Sequence, residues 1–139
     1  MVERIVTGSR KWPPQQRQQL WYPLIAAAPD LVIHGGCDEG VDVFVEDWCR
    51  HNEVDSRIVR AKWRATGELD RSAGPRRNVR MLALYPRVPV LAFPYGISPG
   101  TNGCIRLAVK MGHEVTVFHP HWPSRSFTAA EWFALEAPR

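Results

Sequence analysis

Apolar residues recur along this chain in two rhythms. Short runs with few polar positions fall at residues 4–6, 31–33, 56–61, 88–93 and 114–118. Runs of that length between turn residues predict strands. Longer stretches between them place apolar residues three and four apart, the spacing of a helix with one buried face. Residues 15–28 carry Leu20, Trp21, Leu24 and Ile25, after a Pro13-Pro14 pair suited to a first helical turn. Pro23 lies inside that pattern and predicts a kink or a split. Residues 41–53 carry Val41, Phe44, Val45, Trp48 and Cys49 on one stripe. Residues 79–85 predict a helix burying Val79 and Leu82, and residues 104–111 one burying Ile105, Leu107, Ala108 and Met111. Pro89 implies that the regular part of the fourth strand begins after it. The third strand alternates weakly and suits a sheet edge.

Strands alternating with helices specify an α/β fold, a parallel sheet covered by helices on both faces, here of about five strands. The expected core spans residues 4–118 of a single domain, 1–139. Residues 119–139 read as a C-terminal extension with a short helix, capped by Ser126 or Thr128, whose Trp132 and Phe133 pack on the sheet or on a second copy in a homo-oligomer.

The turns carry the candidate chemistry. The second strand runs into His34-Gly35-Gly36, with Gly40 and Asp42 opening the next helix. Without Cβ atoms, Gly35 and Gly36 let backbone amides turn outward and let a bulky group approach. The positive end of the following helix points at the same spot, making a seat for an anion. Thr7-Gly8-Ser9-Arg10 ends the first strand with hydroxyls and a guanidinium. Gly100-Thr101-Asn102-Gly103 follows the fourth strand and Pro94. Ser72-Ala73-Gly74-Pro75 leads into Arg76, Arg77, Asn78 and Arg80. Arginines at a helix start oppose its dipole unless an anion balances them. Trp63, in a long polar loop, reads either as a stacking surface for a base or as core. In a parallel sheet all these turns fall at the carboxyl ends of strands, where ligands bind.

Composition narrows the choice. Hydrophobic residues make up 45% of the 139, enough for a core, and charged residues 23%. No apolar run approaches the ~20 residues of a membrane span, and the N-terminus lacks a signal-peptide layout, so no membrane partner and a cytoplasmic location are expected. The three cysteines, Cys37, Cys49 and Cys104, are odd in number and read as free thiols. His119 and His121 fall short of the three or four ligands a metal needs. No metal and no cofactor is expected. A net charge of +4 suits anionic ligands without choosing between nucleotides and nucleic acid.

Together, Thr7-Gly8-Ser9-Arg10, His34-Gly35-Gly36 with Gly40 and Asp42, Ala73-Gly74-Pro75 with Arg77, Asn78 and Met81, and Ala92-Phe93-Pro94 with Gly100 and Gly103 resemble the YspA group of the SLOG superfamily. The match runs in order over about residues 4–118. The resemblance implies a Rossmann-like, doubly wound sheet, binding of a nucleotide-derived ligand such as an ADP-ribose derivative, and an origin in bacteria or their phages. The phosphoribohydrolase branch of that superfamily carries a catalytic glutamate where this chain has Leu107. Leucine cannot act as acid or base, although Asp38, Glu39 or Asp42 can stand in for it.

The leading expectation is a protein that senses or sequesters a small nucleotide-derived ligand. Gly8, Ser9, Arg10, Gly35, Gly36, Asp42, Trp63, Gly74, Arg76, Arg77, Asn78, Pro94, Gly100, Thr101, Asn102 and Gly103 are its candidate contacts, with no catalytic residue assigned. Tyr95 is a second candidate for stacking on a base. The alternatives are an N-glycosidic hydrolase of nucleosides or nucleotides, and a nucleic-acid-binding module recognisable by steep salt dependence.

Overall fold

The computed structural model describes residues 1–64 and 67–135. The end of the expected domain, residues 136–139, and positions 65 and 66 of the expected long loop lie outside the described residues. The chain builds one six-stranded sheet in the order β3-β2-β1-β4-β5-β6. The strands are β1 (Glu3–Gly8), β2 (Leu31–His34), β3 (Asp55–Ile58), β4 (Val90–Phe93), β5 (Val115–Phe118) and β6 (Ser126–Thr128). The first five are parallel, and β6 returns antiparallel to β5, with Val117 opposite Phe127. The fold is the Rossmann-like α/β arrangement, with one strand more than the pattern predicted. The sixth was hidden in the tail because it is short and buries only Phe127.

The helices are α1 (Trp21–Ala27), α2 (Val41–His51), α3 (Ala73–Leu84), α4 (Pro99–Lys110) and α5 (Ala129–Ala134). Alternation along the strands divides the core in two. Ile5, Ile33, Ala92 and Val117 face a cluster with Leu82 of α3, Ile105 and Ala108 of α4, and Trp132 of α5. Val6, Val32, Leu91 and Phe93 face the other cluster, with Leu20, Leu24 of α1, and Val41 and Val45 of α2. β2 and β4 are buried at every position because both of their faces are covered. β3 lies at the sheet edge and is mostly exposed.

Several element boundaries differ from the sequence pattern. The first helix splits into a 3-10 segment, Pro14–Leu20, and α1, which begins at Trp21. The break precedes Pro23, because the proline ring cannot donate to the Gln19 carbonyl and clashes with it. Pro23 therefore sits in the first turn of α1, and Ile25 turns out to solvent, 62% exposed. α3 starts at Ala73, before the apolar rhythm begins, and its inward face runs through Gly74, Arg77, Asn78, Met81 and Leu82. Val79 falls off that face and is exposed. α4 starts at Pro99, so Gly100 and Gly103 are helical residues and not a turn.

The tail belongs to the core. Thr128 caps α5 in a reciprocal capping box with Glu131. Trp132 is fully buried, and its Nε1 donates to Asn102 Oδ1 at 3.0 Å. Phe133 lies under the Arg106 guanidinium, 4.4 Å from the ring centroid. Of the two expected places for this apolar face, the sheet or a second copy, Trp132 takes the first and packs on the protein's own sheet and α4. No helix among the described residues is long and apolar enough to cross a membrane.

Candidate functional site

A cleft of about 540 Å³ opens at the carboxyl rim of the sheet, where β1 and β4 lie side by side and the chain connections leave in opposite directions. The β1 exit supplies Gly8, Ser9 and Arg10; the β2 exit supplies Gly35 and Cys37; α2 supplies Asp42. The first turns of α3 and α4 bring Gly74, Arg77, Asn78, Gly100, Thr101 and Gly103, and Trp63 forms one wall. An adjoining lobe of about 480 Å³ shares Arg10, Gly35, Cys37, Trp63 and Arg77 with the first and adds Gly36, Asp38, Arg60 and Leu69.

Arg76, Pro94 and Asn102 line neither lobe. Arg76 is exposed and ion-paired with Asp70, because it sits one step round α3 from Arg77. Pro94 is buried beneath the β4 exit. The Asn102 side chain is held by Trp132. Tyr95 stacks against His119 at 6.1 Å and does not line the cleft. Leu107 does line it.

The glycine pair works differently from the sequence expectation. The Gly36 amide donates to His34 Nδ1 at 3.0 Å, and the Cys37 amide donates to Asp42 Oδ2 at 3.1 Å. These amides point into the protein and not to a ligand. With Nδ1 accepting, the His34 proton sits on Nε2, which donates to Glu46 Oε1 at 2.7 Å. Ser56 Oγ donates to the other Glu46 oxygen at 3.1 Å. Burial raises the Glu46 pKa, but the hydrogen bonds from His34 and Ser56 outweigh it and hold the carboxyl below its ordinary value. His34 therefore fixes the turn from beneath.

The missing side chain at Gly35 leaves room for Arg77. A Cβ there would overlap the Arg77 guanidinium, which lies across the turn. Nη1 donates to the Gly35 carbonyl at 2.8 Å, and Nε to Asn78 Oδ1 at 2.8 Å. The charge is held in place by neutral partners, with no carboxylate paired to it among the described residues. Gly40, at φ +77°, opens α2, and a Cβ there would run into the Ser9 carbonyl and the Arg10 backbone. That close approach lets the Val41 amide donate to Ser9 O at 3.1 Å and locks the β1 exit to α2. Ser9 Oγ accepts from the Lys11 amide at 3.0 Å, so it shapes this turn.

Ligand-facing groups remain on α4 and α2. No side chain caps α4, and its first-turn amides at Gly100 and Thr101 have no carbonyl inside the helix to meet. A Cβ added at Gly100 or Gly103 would find nothing within 4 Å. Asp42 is 6% exposed, and its Oδ1 is buried without a hydrogen-bond partner among the described residues. Asp42 is also the carboxylate that lines the first lobe. Trp63 stands edge-on to Gly74, with the Arg10 guanidinium 5.6 Å from its ring centroid.

Cys37 faces both lobes, yet burial and then the Asp42 charge push its thiol pKa up. It is a poor nucleophile at neutral pH. Burial likewise raises Cys49 to about 12. Arg60 and Cys37 escaped the sequence reading as contacts. The signal for Arg60 was its place at the exit of the third strand, the same signal that marked Trp63.

No model of a known protein family matches the chain, and no solved structure does. The Gene 61 protein of Mycobacterium phage D29 is 34% identical over 124 residues, which cover 82% of this chain and 94% of that protein.

Proposed function

The chain belongs to the family of the Gene 61 protein of Mycobacterium phage D29, and from its cleft we propose that it binds a small nucleotide-derived ligand. An anionic group docks on the uncapped first turn of α4, in the space left open by Gly100 and Gly103. Arg77 adds a positive charge already fixed in position. Asp42 Oδ1 accepts a hydrogen bond from a sugar hydroxyl, and Trp63 provides an apolar wall for a base. The observation that carries this reading is the unpaired, buried Asp42 Oδ1 in the same cleft as an uncapped helix start. A buried carboxylate oxygen without a donor is costly unless a ligand completes it. The resemblance to the YspA group supports the same class of ligand, and with it a role in sensing or sequestration.

Calorimetry with AMP and ADP-ribose tests this. Binding is expected, with Arg77→Ala weakening it by about 1.5–3 kcal/mol, the range of a hydrogen bond to a charged group. Unchanged affinity in that variant removes Arg77 from the contacts, and no binding of either compound rejects the reading for them.

A second reading, hydrolysis of an N-glycosidic bond, is favoured by one feature: the free Asp42 oxygen is a candidate general acid or base. Incubation with AMP, NAD and ADP-ribose followed by chromatography decides it. Failure to release base at high protein concentration dismisses hydrolysis of those substrates.

A further inference from the structure

The second lobe has its own chemistry. Arg10 and Arg60 line it, with Arg77 at the divide, and no carboxylate pairs with any of the three among the described residues. Among the described residues, Arg60 Nη1 reaches only the Gly36 carbonyl, at a long 3.3 Å, and most of its donors have no partner there. Asp38 is the one acidic residue on this lining among the described residues. The lobe is floored by the Gly35-Gly36 turn and walled by Trp63 and Leu69. Each lobe falls within the ~300–1,000 Å³ typical of small-molecule sites. A nucleoside monophosphate in the first lobe meets Arg10 and Arg77, which line both lobes, and leaves Arg60 without a counter-charge.

From this we infer that the second lobe is a separate anion subsite, held by Arg60 and Arg10, and that the ligand carries two anionic groups separated by a sugar. One group meets the α4 first turn and the other meets Arg60. The Asp42 carboxylate, lining the first lobe and hydrogen-bonded to Cys37 of the shared turn, takes a hydroxyl between them. A nucleoside bisphosphate has this layout. The inference rests on the nucleotide reading for the sugar and base, but the anion subsite stands on the arginines alone.

The test compares AMP with adenosine 3′,5′-bisphosphate by calorimetry, in the wild-type protein and in Arg60→Gln. Arg60 is exposed, so its replacement leaves the fold intact. The bisphosphate is expected to bind at least about tenfold tighter than AMP, on the order of one charged hydrogen bond. Arg60→Gln is expected to bring the two within about twofold while leaving AMP unchanged. Asp38→Asn is expected to tighten the bisphosphate only. Equal wild-type affinities, or an Arg60→Gln protein that keeps the preference, overturn the second subsite and leave the nucleotide reading intact. Inorganic phosphate, followed by amide resonances, separates the two ideas further. Shifts at Gly36 and Ala61 that Arg60→Gln abolishes support the subsite even where no nucleotide binds. Shifts confined to Gly100 and Thr101 overturn it.

Discussion

His119 shows how one residue sets a limit on the conditions the protein tolerates. It is 2% exposed, its Nδ1 accepts from the His121 amide, and its ring stacks with those of Tyr95 and Trp132. Burial, then the charge of His121, lowers its pKa from 6.5 to about 4. The unfolded chain therefore takes up this proton first as pH falls. The contribution of a neutral His119 is complete above pH 6.5 and is lost between 6.5 and about 4. The slope is at most ~1.4 kcal/mol per pH unit. Denaturant titrations across that window are expected to show a shallower decline in His119→Gln than in the wild type; parallel curves would refute the assignment. The sequence marked His119 and His121 only as too few ligands for a metal. It held no signal for their stacking, which depends on where β5 ends. Gly35 is a similar case. Its lack of a side chain was visible, but the neighbour it makes room for, Arg77, is 42 residues away in the chain.

Among elements, α4 has the clearest tension between stability and use. Gly103 is a helical residue with nothing within 4 Å of where a Cβ would stand. Alanine there is favoured by ~0.5–1 kcal/mol through helix propensity alone. Gly103→Ala is therefore expected to melt about 2–4 °C higher and to bind the ligand more weakly, because the methyl enters the cleft. A variant that is stabilised with undiminished affinity would show that the open space serves no ligand. The strands and the stripe on α2 were legible because burial on both sheet faces writes continuous apolar runs. The starts of α3 and α4 were not. Those first turns carry glycine, proline and polar residues turned to the cleft, and the apolar rhythm only begins a turn later. The site residues thus obscured the helices that hold them. β6 was missed for a different reason, having a single buried residue in three.

For the whole molecule, the topology was legible from alternation, and the rim that carries the site followed from it. What alternation left open was which turns present free donors. The His34-Gly35-Gly36 turn turned its amides inward, while the start of α4 kept its own unmet. The cleft is assembled from parts that are far apart in sequence: residues 6–11, 35–42, Trp63, 74–81 and 97–107. The sheet brings these strand exits and helix starts together, so the site is complete only in the folded chain. Any compound that fills it acts on the folding equilibrium of the entire chain, by about 2.7 kcal/mol at a hundred times its dissociation constant. A melting curve is therefore a test of the proposed binding: fractions of a cell extract, added one by one, are expected to raise the transition temperature wherever they carry a compound that fills the cleft, and to do so less in Arg77→Ala.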